Sequence, residues 1–220
     1  MREARRTYRV PVRMDWLPVS AALLLTGVLA LCLGSFLLPQ SENAAESLRI
    51  VQQNDGQWMT AAVILFISSI CLSLGLPAIM TLFQRRGWAV GVVAALVLEV
   101  GFIGTAGFAM LMGFFRALVN TETIKSQGIN DIATDAGLAL FLYAWIAGIY
   151  LGELLLAIAL LRAGTTPRWV PIALIAHVLA FPVSNLLPEY LSKATVLLLV
   201  VGFAGVAIQA ASPQNRRRLA

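Results

Sequence analysis

Apolar positions in this chain run in long blocks separated by short polar segments. A helix needs about 20 apolar residues to cross the hydrocarbon core of a bilayer. Six stretches approach or exceed that length: near Trp16 to Leu38, Trp58 to Phe83, Trp88 to Phe115, Ala136 to Leu161, Trp169 to Leu187, and Leu191 to Ala211. The pattern predicts an all-α, polytopic integral membrane protein. Residues 1–220 would form one transmembrane domain, a six-transmembrane-helix bundle.

Composition agrees with this. The 220 residues are 59% hydrophobic and 12% charged, with a mean hydropathy of +0.82, whereas charged residues make up roughly a quarter of an ordinary soluble domain. That balance argues against a nucleic-acid reader, a secreted disulfide scaffold and a cytosolic enzyme.

The net charge of +5 changes meaning once the charges are placed. With the amino terminus inside, the cytoplasmic connections carry Arg2, Arg5, Arg6, Arg9, Arg13, Arg85, Arg86, Arg162, Arg168, Arg216, Arg217 and Arg218. The opposite side carries Arg49, Arg116, Lys125 and Lys193, against Glu42, Glu46, Asp55, Glu122, Asp131, Asp135 and Glu189. Lys and Arg in short loops resist translocation, so the asymmetry predicts both termini in the cytoplasm of a bacterial-type inner membrane. The basic excess is topogenic, with contact to anionic lipid headgroups as its second use.

Arg5 and Arg6, within Ala4-Arg5-Arg6-Thr7-Tyr8-Arg9-Val10, faintly resemble a twin-arginine export signal. The apolar run that follows is too long for a signal core and lacks an Ala-x-Ala cleavage site. These arginines read as the anchor of the first span. Cys32 and Cys71 differ in depth by roughly 10 Å at about 1.5 Å per residue, beyond disulfide reach, and read as packing residues.

Two longer polar segments, Pro39 to Gln57 and Val119 to Asp135, fall on the outer side. In the first, Ala44, Leu48 and Val51 recur at helical spacing, which predicts a small surface helix, and Asp55-Gly56 reads as a turn. The second, from Asn120 to Asp131, reads as a solvated connector, with a lid as the alternative. Val100-Gly101-Phe102-Ile103-Gly104 resembles Val201-Gly202-Phe203-Ala204-Gly205. No similar likeness links the other spans, so an inverted repeat is not supported.

Small residues let helix backbones approach closely. Gly148 with Gly152, the series Gly101, Gly104 and Gly107, and the pair Ser69 and Ser73 predict packing seams. The first pair is also a candidate surface for a partner helix. Pro77 and Pro182 lie inside spans and should kink them, freeing carbonyls that Ser73 or Ser184 could satisfy.

Glu99, Glu153 and His177 are exceptions inside the spans, where a charged side chain at the bilayer centre costs about 2.5–3.5 kcal/mol on the most permissive scale. Counted from the span ends, all three lie roughly 12–16 Å above the cytoplasmic boundary. One layer on three sequential spans predicts a shared interior site. Tyr143 and Tyr150 share a face near Glu153, with the glycine pair turned away. On the fifth span His177 and Ser184 line one face, with Asn185 adjacent. The candidate ligand-binding residues are therefore Glu99, Glu153, His177, Tyr143, Tyr150, Ser184 and Asn185. The bland alternative is a neutral glutamate hydrogen-bonded across helices as an interior staple.

Several chemistries lack their residues. One histidine cannot make a bis-histidine haem site, and there is neither a His-Glu-x-x-His run nor a Gly-x-Ser-x-Gly elbow. Lys125 and Lys193 sit too near the outer surface for a retinal Schiff base. No cofactor or metal motif is found. Proton exchange, cation recognition and acid catalysis by a carboxyl group survive.

Two stretches carry a family likeness. Leu160-Leu161-Arg162-Ala163-Gly164-Thr165-Thr166-Pro167-Arg168-Trp169-Val170, and Arg85-Arg86-Gly87-Trp88-Ala89 leading to a midspan acid at Glu99, resemble small six-helix bacterial membrane proteins catalogued as a domain of unknown function. The resemblance implies a six-helix fold and no activity. Its pattern places an arginine about one turn before the acid, where this chain has Leu96. Glu153 or His177 would then be the replacement partner of Glu99.

Three functions fit these features. The leading one is binding or transport of a small lipophilic or cationic molecule through an intramembrane cavity, with Glu99 and Glu153 exchanging protons or cations and His177 as their partner. The second is an enzyme acting on a lipophilic substrate, with a neutral glutamate as proton donor and Tyr143, Tyr150 and Phe181 stabilising a developing cation. The third is a structural or regulatory subunit docking a partner through Gly148 and Gly152. The partners implied are membrane lipids and that ligand, and no nucleic acid.

Overall fold

Apolar side chains cannot satisfy peptide groups, so the i→i−4 bonds within each block do so, and every block becomes helical. The computed structural model describes residues 16–39, 44–83, 86–121, 123, 132, 134–184 and 186–215. It contains α1 (Trp16–Leu37), α2 (Ala44–Gln53), α3 (Asp55–Met80), α4 (Trp88–Asn120), α5 (Ala136–Ala163), α6 (Trp169–Ser184), α7 (Glu189–Ala194) and α8 (Val196–Ala211). Among the described residues there is no strand.

Among the described residues five helical segments are long and apolar enough to cross a membrane: α1, α3, α4, α5 and Tyr190–Ala211, which runs through α7 and α8. The expected fifth stretch is shorter than predicted. It forms α6, of 16 residues, about 24 Å at 1.5 Å per residue. Pro182 lies within its last turn, and the chain leaves the helix through Leu186 N–H donating to the Val183 carbonyl at 2.9 Å.

Other ends also move. Asp55 and Gly56, expected as a turn, form the first turn of α3, because Asp55 is held there by Arg116 and Asn120 of α4. The same contacts carry α4 past the expected end at Phe115 to Asn120. The small helix expected over Ala44, Leu48 and Val51 is α2, and Val51 is fully buried. Asp135 caps α5 by accepting from Leu138 N–H at 2.8 Å. Gly164 ends that helix in the left-handed region at φ 62°, a conformation glycine adopts without a Cβ penalty.

The six larger helices close into a ring, in the order α1, α3, α4, α5, α6, α8 and back to α1. Leu24, Val28, Leu72, Leu98, Phe102, Leu156 and Phe203 are buried in its core. The predicted glycine seam is present within the chain. A Cβ on Gly148 would lie 2.6 Å from the Gly101 nitrogen, and one on Gly152 2.7 Å from the Leu98 nitrogen, so α4 and α5 touch backbone to backbone. This surface, considered as a site for a partner helix, is filled by α4.

Beside Pro77 the hydroxyl of a residue on α1 enters the backbone ladder of α3. Ser20 of α1 donates to the Leu74 carbonyl at 2.9 Å and accepts from Ala78 N–H at 3.1 Å. Its hydroxyl thus stands between two groups that would otherwise bond each other in α3. Ser184 makes only a local bond, to the Phe181 carbonyl at 2.6 Å.

Candidate functional site

Burying a carboxyl beside an imidazole requires each to satisfy the other. On α5, Gly148 and Gly152 occupy the face against α4, which turns Glu153 toward the ring interior. On α6, His177 faces α5 and is 5% exposed, while Glu153 is fully buried. His177 Nδ1 lies 2.7 Å from Glu153 Oε2, a hydrogen bond between the two buried groups. The imidazole is also stacked on Tyr150, with ring centroids 5.4 Å apart, and Tyr150 packs on Phe181 at 4.1 Å. Hydrogen bond and ring contact together fix the plane of the histidine.

The second carboxyl oxygen has a different environment. Glu153 Oε1 is buried with no hydrogen-bond partner, and Glu153 lines a cavity of about 10 Å³ with Val28, Leu72, Leu98, Ile149 and Phe203. These residues come from α1, α3, α4, α5 and α8, which places the cavity on the axis of the ring. Room of roughly 10–15 Å³ is what a single water requires. Glu153 therefore links an imidazole on α6 to an otherwise apolar space at the ring centre.

The expected three-residue layer divides. On α4, Leu98 and Phe102 take the interior, and successive helical residues are rotated by about 100°, so Glu99 turns to the outside of the ring. It lies in a groove between α3 and α4 with Ser73, Leu76, Pro77, Met80, Val92, Ala95 and Leu96. One of its oxygens, Oε2, is buried and unpartnered. Neither Glu153 nor His177 is a partner for Glu99, because both belong to the interior.

The remaining candidates separate from the pair. Tyr143 is 71% exposed and lies ten residues from Glu153, about 15 Å along α5. Ser184 is about one turn beyond Phe181 and bonded locally, and Asn185 lies outside the described residues. Cys32 and Cys71 are both free and buried. Among the described residues no three His, Cys, Asp or Glu side chains gather as metal ligands.

Sequence reasoning did not find several polar links. Trp145 Nε1 donates to Thr105 Oγ1 at 2.9 Å, and Thr105 donates to the Gly101 carbonyl at 3.0 Å. Asn215 reaches Thr81 Oγ1 at 3.0 Å. At the ring's other end Arg116 makes two bonds to Asp55, through Nε to Oδ1 and through Nη2 to Oδ2 at 2.6 Å. Both residues lie beyond the apolar stretches that begin at Trp58 and end at Phe115. There the guanidinium of Arg116 holds the Asp55 carboxyl below its ordinary range. Opposite charges at the same ends of adjacent stretches were the available signal for that pair.

No family model, curated protein or solved structure matches the chain.

Proposed function

We propose that this chain is a six-span inner-membrane protein that exchanges a proton at Glu153 and His177 while binding or moving a small molecule or cation. Five segments suited to crossing support the membrane reading. The sixth crossing is α6, whose length of about 24 Å falls short of a core of about 30 Å by an amount a local bilayer adjustment absorbs. The arginine asymmetry places both termini in the cytoplasm.

One observation carries the reading. Glu153 bonds His177 through Oε2, its Oε1 is buried with no partner among the described residues, and the residue lines the axial cavity. A proton on that carboxyl has two places to go, the imidazole nitrogen and the axis. The cavity at this point takes a species no larger than about one water, so the species exchanged in this conformation is the proton itself. A lipophilic substrate does not fit beside Glu153, which weighs against the enzyme reading.

The test uses proteoliposomes holding a pH-reporting dye, with the potential clamped by potassium and valinomycin. After a pH step, the wild-type protein should equilibrate protons faster than protein-free liposomes. Glu153→Gln and His177→Asn should return the rate to the protein-free level. Wild-type vesicles no faster than empty ones, or variants as fast as wild type, would overturn the proposal.

A further inference from the structure

The outer groove is separate from the axial site and carries its own chemistry. It has a volume of about 630 Å³, within the range of roughly 300–1,000 Å³ typical of small-molecule sites. Its walls are apolar side chains from α3 and α4, with Leu96 64% exposed at the rim. Besides the Ser73 hydroxyl, two features break the apolar lining. Glu99 contributes a carboxyl whose buried Oε2 has no partner among the described residues. Pro77 has no N–H to return to the carbonyl of Ser73, one turn earlier in α3, and both residues line the groove.

A carboxylate oxygen and a released carbonyl are both acceptors. Their complement is a donor, and beside a carboxylate a positively charged donor is preferred. Among the described residues the groove's lining contains no lysine, arginine or histidine to supply one. Leu76, Met80 and Val92 continue the groove from Glu99 toward the ends of α3 and α4, a track suited to a hydrocarbon chain. Glu99 lies eleven residues into α4, about 16 Å from its start, too deep for a phospholipid phosphate to follow an attached amine.

We propose that the α3–α4 groove binds a lipophilic amine, with its ammonium on Glu99 and the Ser73 carbonyl and its hydrocarbon chain along Leu76, Met80 and Val92. The site does not depend on proton exchange at Glu153.

Native mass spectrometry of the full chain in phosphatidylcholine nanodiscs tests it, with dodecylamine, dodecanol and dodecyltrimethylammonium as probes. Dodecylamine should give a saturable one-to-one adduct. Dodecanol, a donor without charge, and dodecyltrimethylammonium, a charge without an N–H, should each bind at least tenfold more weakly. Glu99→Gln should weaken the dodecylamine adduct at least tenfold. Leu96→Arg should do the same by placing a guanidinium one turn from Glu99. Glu153→Gln should bind dodecylamine as wild type does, so loss of proton exchange and loss of amine binding remain distinguishable.

Equal binding of the three probes by the wild type would overturn the proposal whatever the variants do. So would undiminished dodecylamine binding in a folded Glu99→Gln protein. A dimer that Glu99→Gln dissolves would also overturn it, since a second chain would then occupy the groove. Adding phosphatidylethanolamine to the nanodiscs should leave the adduct unchanged, and competition by that lipid would overturn the depth argument.

Discussion

Removing His177 should be far more damaging than removing both members of its pair. Glu153 is fully buried and bonds His177 at 2.7 Å. With His177→Leu, Oε2 loses its partner and the whole carboxyl is left without a hydrogen bond inside an apolar ring. Breaking a buried ion pair from one side costs about 3–5 kcal/mol, and leaving a neutral buried polar group unsatisfied costs about 1–3 kcal/mol. Glu153→Leu strands the imidazole and should cost about 1–3 kcal/mol on the second scale. The double variant leaves neither group stranded and adds apolar volume, and such replacements are often neutral or stabilising. It should therefore lie within about 1 kcal/mol of wild type, giving a coupling of about 3–5 kcal/mol from midrange single losses, at or above the upper end of what contacting residues show. Equilibrium unfolding in mixed dodecylmaltoside and SDS micelles measures all four proteins. Single losses that simply add in the double variant would refute the pairing. The double variant should also be stable and yet lack proton exchange, a combination that a purely structural staple does not predict.

Gly148→Leu should cost about 1–3 kcal/mol or more, because its Cβ would sit 2.6 Å from the Gly101 nitrogen. Unfolding in the same micelles at wild-type midpoint would refute the close seam. Ser20→Ala leaves the Leu74 carbonyl and Ala78 N–H without the hydroxyl that joins them. A loss of about 1–3 kcal/mol is expected, and one below roughly 0.5 would show that the kink needs no bridge. Asp55 is held below its ordinary range by Arg116, so its contribution to stability is present above its unfolded pKa of about 3.9 and lost as pH falls through the folded value. Thermal unfolding of Asp55→Asn should accordingly begin below wild type at pH 7, with the difference closing as pH falls below about 4. A gap independent of pH would refute the electrostatic account.

Depth along each helix was legible in the sequence, and azimuth was only partly so. Counting residues from Trp88, Leu161 and Trp169 placed Glu99, Glu153 and His177 at one level, and for the last two the level became a hydrogen bond. For Glu99 it did not, because the rotation of α4 is decided by Gly101 and Gly104 against α5 and by Leu98 and Phe102 toward the axis. Those neighbours are known only after the helices are assembled. The Ser20 bridge was hidden for a related reason. It depends on the register of α1 against α3, and no local pattern around Ser20 sets that register. The length of α6 was misread because Leu186 and Leu187 continue the apolar run past the helix end, and hydropathy alone does not see Pro182 and the turn after it.

The ring can be divided by how its helices touch. Gly27 and Gly75 bring α1 and α3 together at Leu72 and Leu24, Gly148 and Gly101 join α5 to α4, and Gly202 and Gly205 on α8 receive Leu174 and Val170 of α6. Each pair meets at distances that no added Cβ would tolerate without displacement, so each should move as a unit. The Glu153–His177 bond joins α5 of one pair to α6 of another. The cavity that Glu153 lines is where all three pairs converge. A change in the proton held there therefore acts across a boundary between glycine-joined pairs, at α5 against α6. If the ring opens to admit more than a water, that boundary is where loss of the single bond from His177 to Glu153 removes a buried polar tie between pairs.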